Sequence, residues 1–237
     1  MPTYVYAITE AGHPLRLDGI EGVGDPAAEL RTVRAEGLSA VVSDAPPHLR
    51  AKRRDLAAHQ NVQERLLADG AALPMRFGLV GADDDQVAAA LEEQRDTYTE
   101  RLTEVGGCVE YNLKVARDED DLLRDIVAES AEIQRLNDRT RQDPGAHHDR
   151  MALGELVSRE VQARQDRTGT DVVARLAPAA ERTAVADPTK NHFLNVSFLV
   201  RREKAGAFSA AVHEEAGQRG DAYTFTLNGP LPPYSFV

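Results

Sequence analysis

Four stretches of this chain alternate apolar with polar residues, and that pattern constrains the fold most, because successive strand side chains point to opposite faces. Leu73, Met75, Phe77 and Leu79 would share one face of 73–79. In 109–115, Val109, Tyr111, Leu113 and Val115 oppose Glu110, Asn112 and Lys114. Leu194, Val196, Phe198 and Val200 oppose Asn195 and Ser197, and Tyr223, Phe225 and Leu227 oppose Thr224 and Thr226. Each stretch predicts a strand with one buried face. Tyr4 to Ile8, and a hairpin of 30–34 with 38–43 turning near Gly37, are more uniformly apolar and predict strands set deeper.

Between these strands the period becomes helical. Leu56, His59, Val62 and Leu66 form one stripe over 51–69, and Gly70 is placed to end it. Asp83 and Gln86 have capping-box spacing and open a helix through Val87, Leu91, Gln94, Tyr98, Leu102 and Val105, stopped by Gly106-Gly107. From Asp118 to Arg141 the stripe is Leu122, Ile126, Ile133 and Leu136; after Asp143-Pro144-Gly145 a second arm carries Leu153, Val157 and Val161. That is a helical hairpin. Its second arm is polar from Gln162 to Asp171, which predicts projection into solvent or fraying there. A short helix near 203–217 precedes the last strand and a Pro-rich end.

The order is thus β-β-β-α-β-α, then β-α-α-β-α-β, too irregular for a doubly wound sheet. It predicts an α+β protein of two modified ferredoxin-like (split βαβ) domains, 1–106 and 107–237. The second would hold the helical hairpin at about 118–183 and the Pro-rich tail.

The chain has 237 residues, 42% of them hydrophobic and 28% charged, within the range of soluble globular proteins. Lys and Arg number 28 against 39 Asp and Glu, a net charge of -11, so no basic field exists to hold nucleic acid. A single cysteine, Cys108, excludes an internal disulfide and a Cys-based zinc site. The N-terminus lacks a basic leader region and no apolar run nears the roughly 18 residues of a membrane span, which predicts a cytoplasmic protein.

Chemistry-bearing constellations are weak. Gly19, Gly22 and Gly24 lack the spacing and following Lys of a phosphate loop. His147-His148-Asp149 sit beside a Pro-Gly turn where adjacent side chains diverge, and no metal is expected there. Asp83–Asp85 and Asp118–Asp121 read as helix N-termini. His59 lies on an apolar stripe without a Ser or Cys partner, and Cys108 has no visible activating base. The expectation is a protein without catalytic residues, cofactor or metal.

Two segments stand out as partner-docking candidates. One is Pro74, Arg76, Phe77 and Gly78, where a Pro and an Arg face away from the apolar side and imply an edge or a covered interface. The other is the stiff end with Pro230, Pro232, Pro233, Tyr234 and Phe236, expected to dock on its own domain.

Taken in order, these residues resemble the F/L family of gas vesicle accessory proteins (GvpF/GvpL). The resemblance rests on Tyr4-Val5-Tyr6-Ala7-Ile8, Gly37 to Ser43, His59 and Val62, Leu73 to Gly78, Glu110 to Val115, Asn195 to Val200 and Gly229 to Phe236. Leu231 departs from the aromatic residue expected of the family before Pro232-Pro233. The resemblance implies two modified ferredoxin-like domains with a helical projection. It also implies a non-enzymatic minor component of the gas vesicle that binds the hydrophobic shell protein and other accessory proteins during nucleation and limits shell-protein aggregation. No nucleic acid, membrane or small-molecule substrate is then expected. Two rival readings follow from the residues alone: a small-molecule-binding or catalytic cleft using His59 and Arg76, and an interaction module acting through the 118–183 arm.

Overall fold

In a computed structural model the described residues are 1–143 and 145–237, so the Pro144 of the expected break lies outside them. They divide into two compact units, Met1–Glu110 with Gly229–Val237, and Tyr111–Asn228. The C-terminal tail therefore belongs with the first unit, not with the second as 107–237 had grouped it; its side chains are held there by Gln63 and Glu110.

Unit 1 begins with β1 (Thr3–Glu10), β2 (Arg31–Ala35), β3 (Leu38–Asp44), α1 (Arg53–Asp69) and β4 (Ala72–Pro74). The sheet order is β2-β3-β1-β4, with the short β5 (Val80–Gly81) also on β1, and each of these pairs is antiparallel. This is the strand permutation of a split βαβ unit in which residues 11–30 replace the first helix. The β2–β3 hairpin turns through Glu36 and Gly37, both at positive φ, as a two-residue turn between twisted strands requires.

The uniform apolarity of β1 has a physical cause. A bulge between Val5 and Ala7 shifts the register against β3. Tyr4, Tyr6 and Ala7 join Val41, Val62 and Leu66 in a core under α1, while Val5 and Ile8 line the opposite side with Val87 and Leu91. Those last residues come from α2 (Asp84–Glu93), which α3 (Arg95–Val105) follows. With both faces covered, no alternation survives.

The expected helix over 83–105 is thus two helices, meeting at Gln94 (φ −102°, ψ 13°). The stretch Glu92–Thr97 has no buried side chain to keep the axis straight. Its start is as expected: Asp83 accepts a hydrogen bond from the Gln86 backbone N–H at 2.8 Å. The expected strand 73–79 is also corrected. Only Ala72–Pro74 pairs as β4; the chain then turns, with Gly78 at φ 93°, before β5. Leu56, expected on the buried stripe of α1, is exposed.

Unit 2 follows the same permutation, with order β7-β8-β6-β9 for β6 (Cys108–Arg117), β7 (Arg182–Ala186), β8 (Leu194–Arg201) and β9 (Tyr223–Leu231). The crossover after β6 is α4 (Glu119–Glu129), α5 (Ala131–Gln142) and α6 (His147–Leu176), and α7 (Ala205–Arg219) joins β8 to β9. Phe208 of α7 packs on Phe198 and Tyr111, with ring centroids 5.1 and 5.4 Å apart, closing the apolar face of the sheet. On the polar face Asn112 donates to Asn195 Oδ1 at 3.0 Å and to Ser197 Oγ at 3.2 Å.

The expected first arm of the hairpin is broken at Ser130, whose hydroxyl caps α5. The helices make their own core from Leu122, Ile126 and Ile133 with Leu153, Val157 and Val161. The polar stretch 162–171 does not interrupt α6, where Glu160–Arg164 and Asp171–Arg175 ion pairs at i,i+4 support the helix. Gly169 is buried there, with Leu194 against it. The strand β7 was absent from the sequence reading, because Val185 is the one large apolar residue in it.

Candidate functional site

The two docking segments singled out in the sequence are joined in unit 1 by α1. His59 and Gln63 are four residues apart, hence on one helix face, and both are buried. His59 Nε2–H donates to the Met75 carbonyl at 3.0 Å, leaving Nδ1 to accept the Tyr4 hydroxyl at 2.8 Å. Tyr4 in turn accepts from the Gly78 backbone N–H at 3.3 Å. The Gln63 amide donates to the carbonyls of Tyr6 and Met75, each at 2.8 Å. Its remaining oxygen accepts the hydroxyl of Tyr234 in the tail.

A second pin holds the tail. Glu110, buried although it lies on the polar side of its alternating strand, accepts from the Ser235 backbone N–H at 2.8 Å and the Ser235 hydroxyl at 2.7 Å. A carboxylate gripping backbone and side chain together gives charge-assisted bonds of defined direction. Residues Tyr234–Phe236 form a single 3-10 turn that carries the Phe236 ring into the interior.

Around the network the rings of Tyr4, Tyr6, His59 and Phe77 pack at 4.7 to 6.0 Å between centroids, mostly edge to face. Burial dominates the titration of these groups. It lowers the His59 pKa despite the bond to Met75, and it raises those of Tyr4 and Tyr6. Tyr234 is pushed up to about 12 by burial and by the negative charges of Glu64 and Glu110.

Pro74, Pro232, Pro233 and Phe236 are buried, Phe77 and Tyr234 are half-buried, and Arg76, Gly78 and Pro230 are exposed. Most of the side chains offered as docking groups are therefore spent on internal packing. Sequence reading missed the residues that hold them. Gln63 sat four positions beyond His59 on the same stripe, and Glu110 sat opposite an apolar face, where a solvated carboxylate is the ordinary case.

The cleft proposed from His59 and Arg76 is not formed. His59 is 3% exposed with both ring nitrogens engaged, Arg76 is exposed, and neither lines the cavity nearest in sequence to them. Cys108 is buried, its thiol directed at the carbonyls of Glu104 and Gly106. Asp149 of the His147-His148-Asp149 run pairs with Arg139 at 3.5 Å. Among the described residues no group of three or more His, Cys, Asp or Glu converges on a metal position, and no helix is long and apolar enough to cross a membrane.

Comparison with known proteins agrees with this architecture end to end. Gas vesicle protein F of Streptomyces sp. (strain CB03234) is 42% identical over 240 residues, covering all of both chains. Gas vesicle protein F2 of Halobacterium salinarum is 30% identical, covering 99% of this chain and 91% of its own. Gas vesicle protein L of the same Streptomyces strain is 28% identical, covering 99% of this chain and 92% of its own. The fold matches the crystal structure of GvpF from Anabaena sp. PCC7120 with a TM-score of 0.85 at 21% identity, covering 99% of this chain and 97% of that one. That of GvpF from Microcystis aeruginosa matches at 0.80 and 23%, covering 99% and 98%. The profile described as "Gas vesicle synthesis protein GvpL/GvpF" spans residues 2–237, and the chain belongs to that family.

Proposed function

We propose that this chain is an F-type gas vesicle accessory protein that works by touching other proteins, holding the hydrophobic shell protein and further accessory proteins while a vesicle nucleates. The observation that carries the proposal is the family match over residues 2–237, embracing both units and the tail. The F-type assignment draws on 42% identity to protein F against 28% to protein L of one Streptomyces strain. Action by contact is supported by the fate of the best catalytic candidate: His59 is used up in structural hydrogen bonds. A net charge of -11 suits a chain that must stay dispersed while handling an apolar client.

The test is to remove this chain from a vesicle-forming gene set and restore it with an affinity tag. The proposal expects vesicles to disappear and return, and the shell protein to copurify with the tag. Normal vesicle formation without the chain, together with no vesicle component on the tag, would refute it.

A further inference from the structure

Unit 1 has a cleft of about 270 Å³ on the sheet face that looks away from His59 and Gln63. Its floor includes Val5 and Ile8, one wall is Leu79 and Val80, and the other is Leu91 and Tyr98. Leu79 and Val80 are 46% and 42% exposed, so two adjacent apolar side chains stand at its mouth instead of inside a core. The size narrows what enters. The cleft falls below the range of about 300–1,000 Å³ typical of small-molecule sites, yet exceeds the roughly 150 Å³ that accommodates benzene. It suits one bulky apolar side chain, the usual form of an interface anchor.

The segment that supplies Gln86, Val87, Ala90, Leu91 and Tyr98 to the cleft states the charge of the partner. Segment 83–105 carries eight carboxylates (Asp83, Asp84, Asp85, Glu92, Glu93, Asp96, Glu100 and Glu104) against two guanidinium groups, Arg95 and Arg101. Asp84 is committed to Arg31 at 2.8 Å, whereas Asp85, Glu92, Glu93 and Asp96 are exposed. Glu36, from the β2–β3 turn, lines with Glu92, Glu93, Asp96 and Arg95 a separate shallow depression at the end of the same helix. An apolar slot walled by so acidic a segment attracts a cationic partner and repels an acidic one.

We propose that this cleft docks a cationic, amphipathic segment of a partner protein, which inserts one aliphatic or aromatic side chain against Leu79 and Tyr98. This rests on the reading that the chain acts by contact, and it names the place and the partner's chemistry.

The probes are a synthetic amphipathic helix of Leu and Lys, its Glu-for-Lys counterpart and its Ser-for-Leu counterpart, each titrated into the isotope-labelled full chain. Ala90→Trp fills the cleft from an exposed position of α2, and Glu92→Lys with Glu93→Lys cancels most of the negative charge of segment 83–105. Only the Leu/Lys helix should bind, with resonance shifts centred on Leu79, Val87 and Ala90. Either variant should weaken it by about tenfold or more. Binding of the acidic helix as tightly, equal binding by Ala90→Trp, shifts centred elsewhere, or no binding at all would overturn the proposal. So would self-association of the wild type that Ala90→Trp abolishes, which would give the cleft to a second copy.

Tagged wild type and Ala90→Trp are also compared for captured vesicle components. If both capture the same components and the helix fails to bind, the cleft proposal falls and action by contact stands. If wild type captures none, action by contact falls, whatever the helices do.

Discussion

Tyr234 donates its hydroxyl hydrogen bond to the side-chain oxygen of Gln63, 171 positions earlier in the chain. Because the Gln63 amide nitrogen simultaneously holds the Tyr6 and Met75 carbonyls, one glutamine ties strand, loop and tail together. Replacing it with Leu removes three hydrogen bonds, each contributing about 0.5–1.5 kcal/mol net. The Met75 carbonyl keeps the His59 ring N–H and the Tyr6 carbonyl keeps the Met75 backbone N–H, while the Tyr234 hydroxyl loses its acceptor. Gln63→Leu should lose about 2–4 kcal/mol in urea unfolding. Gln60→Leu, on the exposed side of α1, should stay within about 0.5 kcal/mol.

Glu110 holds the tail at a second point. Glu110→Ala removes two charge-assisted bonds to Ser235, and a loss of about 2–3 kcal/mol is expected. Hydrogen exchange distinguishes this from a general loosening: the Ser235 amide should lose protection, while amides in the centre of β8 keep most of theirs.

His59 predicts a pH dependence. Its folded pKa lies below the ordinary imidazole value, so the unfolded chain takes up the proton first. The stability it contributes is complete above about pH 6.5 and declines as pH falls below that value. Asp84, held at about 2 chiefly by its hydrogen bonds from Arg31 and Thr3, acts in a separate window. Its contribution is full above about pH 4 and is lost only toward pH 2. Urea melts across pH 5–7 should show a falling limb for the wild type that flattens in His59→Gln.

Gly22 is required by close approach. A Cβ there would lie 2.5 Å from the Tyr6 hydroxyl oxygen and 2.7 Å from the Ala28 carbonyl oxygen. That hydroxyl accepts the Val23 N–H at 2.8 Å, so it cannot yield without breaking the loop. Gly22→Ala should cost about 1–3 kcal/mol, comparable to overpacking a core. Gly12→Ala, with nothing within 4 Å of the added carbon, should leave the thermal midpoint within a few degrees.

The strands were legible because alternation marks an apolar face, as in 109–115, 194–200 and 223–227. Only the last keeps the alternation in its exposure, since Glu110, Ser197 and Leu199 on the opposite faces are buried as well. β7 was not, since a five-residue edge strand with exposed Val185 has nothing to alternate. The run 73–79 misled for the opposite reason: its apolar residues alternate, yet the chain turns within it and Leu79 ends exposed. The two docking segments were visible as odd composition. That they meet was not, because the meeting depends on Gln63, whose polarity on an apolar stripe has no meaning until Tyr234 arrives from the far end. The tail's place with the first unit escaped for the same reason.

Action by contact with the shell protein is tested most directly by coexpressing the two and measuring the fraction of shell protein left in a high-speed supernatant and retained with the tagged chain. A clear rise in soluble shell protein, recovered together with the chain, is the predicted result. Shell protein that pellets to the same extent with and without the chain, and none on the tag, would contradict it.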